Sequence, residues 1–154
     1  MTLAPIQLRA FVYERVALET QTRALPDEAE PRPPSLHFDT EWESSPTAEA
    51  DGVLRLTVAV NQDRDDWRMY RGEVAVVGFF AWLDPDTEVD RETVERYYLM
   101  SGFSILYGLV RAFAVQLSAT APHPQLLLPS FDFTPAVDHL LEREDDAEGA
   151  AQPE

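Results

Sequence analysis

The sequence contains no cysteine and no lysine, and only six of its 154 residues are glycine. The absence of cysteine excludes disulfide bonds, thiol catalysis and thiolate metal sites. Every basic residue is arginine, and acidic residues outnumber basic ones by 28 to 12, so the formal net charge is −16. Such a charge repels phosphate backbones and anionic lipid surfaces and favours basic partners. Nucleic acid is therefore not an expected partner, and neither is a membrane surface.

Residues that could hold a metal or perform catalysis are few and scattered. The histidines, His37, His123 and His139, lie in unrelated segments, which predicts surface or loop positions and not a metal site. The glycines form no phosphate-binding or dinucleotide-binding pattern, and the acidic stretches lack the spacing of a calcium loop, so solvated charge accounts for them. The sequence thus predicts no catalytic residue, no cofactor and no metal, and a protein that is not an enzyme.

Targeting and membrane-spanning segments are not expected either. The first residues carry charges from Arg9 onward and lack the apolar core of a signal peptide. The segment 99–131 carries a single formal charge, Arg111, but glycines and prolines interrupt it, which argues against a membrane span. We therefore expect a cytoplasmic protein, without membrane insertion, whose apolar segment is covered by other parts of the assembly.

The first half of the chain alternates apolar and polar residues, as β-strands do. Residues 6–19 predict a long first strand with a bulge at Glu14, followed by a proline-rich crossover loop at 20–34. The apolar face of the first strand is predicted to comprise Ile6, Leu8, Ala10, Val12, Val16 and Leu18. Three further strands are predicted at 36–42, 53–60 and 69–82. The apolar end of the fourth, from Val76 onward, should be covered on both faces.

The second half has the spacing of helices. Asp90 is the predicted N-cap of a first helix, Gly102 is expected to interrupt it, and Ser104 is expected to cap a second helix with a very wide apolar stripe. A short final helix is predicted at 134–142. The small, acidic composition of 143–154 predicts a disordered acidic tail, so the folded domain is predicted to span 1–142.

This order of elements predicts an α+β fold, a four-stranded antiparallel sheet with C-terminal helices packed on one face. A helix that is apolar nearly all round needs cover on more than one side, and a small sheet can cover only one of them. We therefore expect a second subunit to cover the other side, making the chain an obligate oligomer. The predicted interface positions on the helix are Ile105, Leu109, Phe113 and Leu117.

Two features leave alternatives open. Arg111, alone in an apolar helix, fits either a structural ion pair or a functional contact. The aromatic residues around the junction of sheet and helix fit core packing or, where the oligomer leaves them open, an apolar binding groove. The candidates for such a groove are Phe38, Trp42, Phe80, Trp82, Tyr97 and Tyr107.

Three segments resemble the family of the protein-export chaperone SecB. Ser104-Ile-Leu-Tyr-Gly-Leu-Val-Arg111 resembles the family's I-L-[FWY]-P-Y-x-R helix start, and Pro124-Gln-Leu-Leu-Leu-Pro-Ser-Phe-Asp-Phe133 resembles its P-Q-L-x-L-x-P-V-N-F segment. The segment 71–80 resembles its fourth strand. The resemblance spans residues 6–139. Departures at Gly108-Leu109, where the family has Pro-Tyr, and a long acidic insertion after Asp84 are similar to divergent SecB-like proteins.

The resemblance implies a homotetramer, a dimer of dimers whose helices lie between two eight-stranded sheets. It also implies clients: unfolded preproteins, held in apolar grooves and passed to the translocation motor SecA. Glu19 and Glu73 match acidic positions of the family's motor-contacting surface, although ordinary surface charge explains them as well, and Arg15 stands at a third such position.

The function predicted on these grounds is an ATP-independent holdase that binds unfolded preproteins for export through the Sec pathway. A second hypothesis is a SecB-like chaperone dedicated to one client, such as an antitoxin. A third, from another class, is a small-ligand-binding or enzymatic protein that uses the aromatic junction as a pocket.

Overall fold

A computed structural model describes residues 5–20, 33–47, 49–62, 69–83 and 90–150, with side chains as far as Arg143. The elements within these ranges are β1 (Ile6–Thr20), β2 (Leu36–Ser44), β3 (Gly52–Val60), β4 (Tyr70–Trp82), α1 (Arg91–Ser118) and α2 (Thr134–Ala150). The strands form one antiparallel sheet in the order β1-β4-β3-β2. The predicted α+β class is therefore confirmed. Most of the predicted crossover and of the acidic insertion lie outside the described residues.

The core lies between one face of the sheet, the inner face, and α1. Strand side chains alternate, so every second residue of β3 and β4 points inward. Fully buried inner-face residues pack against a buried stripe of α1 that includes Tyr98, Leu99, Phe103 and Leu106. On the opposite, outer face of β4, Val77 is buried as well, as predicted for the apolar end of this strand.

The face of β1 that points toward the core changes at two places along the strand. The register with β4 shifts between Leu8 and Ala10 and again between Tyr13 and Arg15, and the second shift confirms the bulge predicted at Glu14. A bulge adds one residue to one strand and so exchanges its two faces. The predicted inward positions at Ala10 and Val12 are therefore wrong, and Phe11 and Tyr13 lie inward in their place, opposite inward residues of β4.

Helix α1 is continuous, so the predicted interruption at Gly102 is wrong. Asp90 is the N-cap, as predicted, and its carboxylate accepts hydrogen bonds from the backbone N–H and the hydroxyl of Thr93, which lower the pKa of Asp90. A Cβ atom at Gly102 would lie 2.3 Å from the Leu54 side chain. The glycine thus lets the helix approach β3 and does not end it. The Ser104 hydroxyl donates to the Met100 carbonyl within the helix and caps nothing.

Helix α1 is also long and apolar enough, by length and composition, to cross a membrane, and it is the one described helix with this property. The core helices of compact domains share that property, and the inner face of α1 packs on the sheet. Helix α2 extends to Ala150, through most of the segment for which the sequence predicted disorder. That segment is rich in alanine and glutamate, which favour helix. Residues 151–154 lie outside the described residues.

Candidate functional site

An extended segment, residues 124–133, joins α1 to α2 and is termed the strap. Two hydroxyl groups hold its first half. The Ser118 hydroxyl accepts a 2.8 Å hydrogen bond from the backbone N–H of Leu126, and the Tyr70 hydroxyl donates one of 2.9 Å to the Pro124 carbonyl. Because proline offers no backbone donor, such side-chain bonds replace the ladder that would hold an ordinary strand.

One turn of α1 holds the middle of the strap. The Nε–H of Arg111 donates a 3.0 Å hydrogen bond to the Leu128 carbonyl, and the Tyr107 hydroxyl donates one of 2.6 Å to the Pro129 carbonyl. The Arg111 guanidinium carbon lies 6.0 Å from the centre of the Tyr107 ring, within the range of a cation–π contact. Burial raises the pKa of Tyr107, and the positive charge of Arg111 opposes that rise.

The sequence left open whether Arg111 forms a structural ion pair or a functional contact, and its partner in the structure decides against the ion pair. Within the described residues no carboxylate forms an ion pair with Arg111, and its bonded partner is the backbone carbonyl of Leu128. The guanidinium therefore fastens the strap to the helix. A structural ion pair is not what holds this cation.

Four aromatic rings meet where the strap crosses the inner face of β2, and we call them the aromatic cluster: Phe38, Tyr107, Phe131 and Phe133. The Phe131 ring stacks on Phe38 with the ring centres 3.9 Å apart. The Tyr107 ring lies edge-on to Phe38 at 5.4 Å, and the Phe133 ring lies edge-on to Phe131 at 4.9 Å. Phe133 is buried, whereas Phe131 is 44% exposed. The cluster therefore extends from the core to the surface.

The strap alternates buried and exposed apolar side chains beside this cluster. Leu126 and Leu128 are buried, whereas Leu127 between them is 68% exposed. Leu127 and Phe131 are thus large exposed apolar side chains on one short segment, which makes the strap a candidate interaction site. Sequence reasoning missed both as binding residues. The pattern of the strap indicated an extended segment but gave no signal for which of its sides the helices cover.

The structure brings only two of the six predicted groove residues, Phe38 and Tyr107, into the aromatic cluster. Phe80 is fully buried beneath α1 and is a core residue in the single chain. The remaining three lie elsewhere, half-buried against the core on the sheet or exposed on the first turns of α1: Trp42, Trp82 and Tyr97.

The free edge of β1 exposes large apolar side chains between charged ones. Phe11, Val12 and Val16 are among the most exposed large apolar side chains of the described residues, with Val12 at 53%. The Tyr13 hydroxyl donates a 3.3 Å hydrogen bond to the Leu109 carbonyl of α1. An unpaired strand edge with apolar side chains invites a further strand.

The predicted interface positions of α1 lie beside this edge. Ile105, Leu109 and Phe113 are half-buried against the core, Leu117 is half-buried without being packed on it, and the Phe113 ring stacks on Tyr13 at 4.4 Å. Among the described residues, no atom lies within 4 Å of where a Cβ at Gly108 would be, so this side of the helix is uncovered by them. A part of α1 is therefore uncovered in the single chain.

The acidic positions carried over from the motor-contacting surface differ in their surroundings. The Glu73 carboxylate forms an ion pair with Arg15 on the neighbouring strand at 3.2 Å. Glu19 is exposed near the end of β1, opposite Arg71 in the register. Arg15 therefore offsets the negative charge of Glu73, one of the two acidic positions predicted to contact a motor.

A denser group of charges lies nearer β2 on the same outer face. The Arg55 guanidinium of β3 is bonded to Glu14 of β1 at 2.8 Å and to Glu41 of β2 at 2.6 Å, and Glu43 lies 3.1 Å away. The hydrogen bonds that Arg55 donates to Glu14 and Glu41, in that order of effect, raise the pKa of Arg55. One cation thus links both edge strands, with carboxylates in excess around it.

The three histidines remain apart in the structure. His37 is exposed on β2, His139 is exposed on α2, and His123 lies near the Tyr70 ring at 6.1 Å. In the part of the chain that the structure describes, no group of three or more histidine, aspartate or glutamate side chains is placed to hold a metal.

Comparison with known proteins gives a structural likeness. No family model and no curated protein matches the sequence. The SecB-like chaperone Rv1957 of Mycobacterium tuberculosis, solved with a ChAD peptide from the antitoxin HigA1, superposes with a TM-score of 0.58 at 21% identity, covering 82% of this chain and 91% of that one. A Streptococcus agalactiae protein of unknown function gives a TM-score of 0.38 at 9% identity, covering 82% and 97%. The chain therefore has a SecB-like fold, as its motifs predicted.

Proposed function

We propose that the chain is an ATP-independent chaperone, a holdase that binds unfolded preproteins for export through the Sec pathway in the cytoplasm. The observation that carries the proposal is the apolar surface of Leu127 and Phe131 beside the aromatic cluster, on a SecB-like fold. Apolar burial is non-directional and contributes about 25 cal/mol per Å². Such a surface can therefore bind many sequences.

Charge supports the same proposal. The net charge of −16 attracts basic segments of a non-native chain and speeds its encounter with the chaperone. No step of this binding requires catalysis, and apolar contact together with long-range attraction is sufficient for a holdase.

We propose a homotetramer, a dimer of dimers, as the active assembly. The support is the apolar free edge of β1 together with the uncovered side of α1, whose interface positions Leu109 and Phe113 adjoin that edge. A second copy that extends the sheet at β1 would pair the free backbone groups and cover these side chains.

Transfer to SecA through Glu19 and Glu73 is part of the export proposal, and it is the part with the least structural support. The Arg15–Glu73 ion pair reduces the negative charge that a basic motor surface would meet. If SecA is the partner, Arg15→Glu should strengthen its binding, because that substitution removes the ion pair and adds a carboxylate.

A second client assignment, a dedicated antitoxin chaperone, is favoured by a specific observation. The similar Mycobacterium tuberculosis protein was solved with a peptide from an antitoxin. The two assignments differ in selectivity. A dedicated chaperone should bind one antitoxin segment far more tightly than random unfolded chains, whereas an export holdase should bind them all comparably.

The experiment that tests the proposal is suppression of aggregation of a thermally unfolding reporter protein at a one-to-one ratio of chains, without ATP. We expect protection by the wild type and a clear loss of protection with the double substitution L127S/F131S. Leu83→Ser is the matched control, since Leu83 is 45% exposed and lies outside the strap. Absence of protection by the wild type would contradict the proposal, and an equal loss with Leu83→Ser would assign the effect to apolar surface in general.

A further inference from the structure

Arg111 touches both the strap and the Tyr107 ring, which supports the strap. Its Nε–H bonds the Leu128 carbonyl, and its guanidinium lies over Tyr107, four residues earlier on α1. Tyr107 in turn bonds the next carbonyl of the strap, that of Pro129. Two consecutive strap carbonyls are therefore held by side chains one helical turn apart.

These two bonds fix the direction in which the strap continues. Phe131 lies two residues beyond Pro129, and its ring stacks on Phe38 of β2 at 3.9 Å. Between Pro129 and Phe131 no further hydrogen bond holds the strap within the described residues. The exposed Phe131 ring is thus placed by its packing against Phe38 and Phe133 together with the hold of α1 on the preceding strap carbonyls.

We propose that Arg111 is a positioning residue for client binding: by fastening Leu128 to α1 over the Tyr107 ring, it holds Phe131 where an unfolded chain can pack on it. The role rests on the proposed chaperone function. It concerns Arg111 acting through the strap, and the client touches Phe131 and not the guanidinium.

The geometry explains why arginine serves at this position. The Nε–H lies in the plane of the guanidinium, so one group donates to a carbonyl while its face covers an aromatic ring. Lysine keeps the charge but has a single terminal ammonium, which cannot do both in this geometry. Alanine keeps neither contact.

The test is the affinity of the full chain for a fluorescent nine-residue peptide with two tyrosines and two arginines, measured by anisotropy, next to a twin in which alanine replaces tyrosine. Arg111→Ala should weaken binding of the tyrosine peptide about tenfold, and Arg111→Lys by about half as much on a logarithmic scale. For the peptide with alanine in place of tyrosine, Arg111→Ala should weaken binding by less than about twofold, because that peptide lacks the rings that pack on Phe131. Arg91→Ala removes the same charge from the start of α1, where Arg91 pairs with Glu95, and is the matched control.

A double-mutant cycle with Phe131→Ala separates positioning from direct contact. If Arg111 acts through Phe131, Arg111→Ala should add less than about a twofold loss in the F131A background. A full tenfold loss in that background, or a loss that disappears in high salt, would mean that Arg111 touches the client itself and would overturn the proposal. If the wild type binds the peptide and R111A binds it equally well, the positioning role of Arg111 is overturned and the chaperone function is not. No binding by the wild type would overturn the chaperone function as well.

Discussion

The two edge strands of the sheet, β1 and β2, both carry exposed charges but differ in the large apolar side chains that they leave exposed. β1 exposes Phe11, Val12 and Val16, and two bulges bend its course. β2 turns its aromatic residues inward, and its exposed outer-face row is His37, Asp39, Glu41 and Glu43. Charges along an edge discourage further pairing, whereas an apolar edge invites it. Under the proposed assembly, self-association is therefore expected at β1 and not at β2.

Each edge strand is also tied to α1 by a tyrosine hydroxyl. Tyr13 of β1 donates to the Leu109 carbonyl, and Tyr98 of α1 donates to the carbonyl of Ser44 at the end of β2. Hydrogen bonds therefore connect α1 to both edge strands. The two edges also differ in the surface that they leave open.

The largest effect is expected from a charge on the β1 edge. Val16→Asp costs the single chain little, because Val16 is partly exposed there. In an assembly that covers β1 it would bury an unpaired carboxylate, at a cost on the order of 3 kcal/mol or more. We expect dissociation to smaller species, measured by size-exclusion chromatography with light scattering. His37→Asp adds the same charge to β2 and should leave the assembly intact, and equal dissociation by both variants would contradict the assignment of the edges.

The next effect tests how closely β1 lies on β4. A Cβ at Gly72 would meet the Ala17 carbonyl oxygen of β1 at 2.1 Å, and a backbone atom cannot give way as a side chain can. Gly72→Ala should therefore lower the free energy of unfolding by about 2 kcal/mol or more, measured by urea denaturation. Gly108→Ala is the control in the unassembled chain, since a Cβ there meets no described atom within 4 Å and the change should be neutral or stabilising by up to about 1 kcal/mol. Similar losses for the two would contradict this reading of Gly72.

The two tyrosine hydroxyls should differ in what their removal costs. Tyr98→Phe leaves the Ser44 carbonyl without the hydroxyl that it accepts from, which should cost about 1 to 2 kcal/mol. Tyr13→Phe should cost about 0.5 kcal/mol, because the Leu109 carbonyl already accepts a bond within the helix and the lost bond is long, at 3.3 Å. Chemical denaturation of both variants checks the order, and a greater loss with Tyr13→Phe would show that β1 is the more firmly tied edge.

Tyr98 also gives a prediction for stability at alkaline pH. Burial raises the pKa of Tyr98, so the folded state favours the neutral hydroxyl. A group whose pKa is raised by folding contributes its full stability below its ordinary pKa and loses it as the pH rises beyond that value. Wild-type stability should therefore fall above about pH 10, and the fall should be shallower in Tyr98→Phe.

The sequence could predict the strands and the bulge at Glu14, because both follow from local pattern. A carboxylate that interrupts an apolar row is visible in the sequence itself. It could not predict the shift before Ala10, since Arg9 fits the alternation of a regular strand. The two shifts together decide that Phe11 lies inward and Val12 outward. The local pattern therefore predicts strand β1 but not which face of its middle residues is exposed.

The helix and the strap show a second limit. Gly102 predicted a break because glycine disfavours helix, but close contact with Leu54 outweighs that preference. The motif of the strap indicated the fold, whereas the exposed position of Phe131 depends on bonds from Arg111 and Tyr107, which lie far from it in sequence. Contacts between distant segments decide such positions, and alternation along one segment carries no signal for them.

The smallest effect on folding, and the finest test of the edges, is expected at Asp39. This carboxylate lies in the exposed row of β2 opposite Thr57, so Asp39→Val should change the free energy of unfolding by less than about 0.5 kcal/mol. Valine favours strand pairing and removes a charge that keeps other strands away from β2. We therefore expect normal stability but additional, concentration-dependent association beyond the wild-type assembly, measured by light scattering across a dilution series. Asp39→Asn, which lacks the charge but not the polarity, should fall between the two, and unchanged association in Asp39→Val would mean that something other than charge protects the β2 edge.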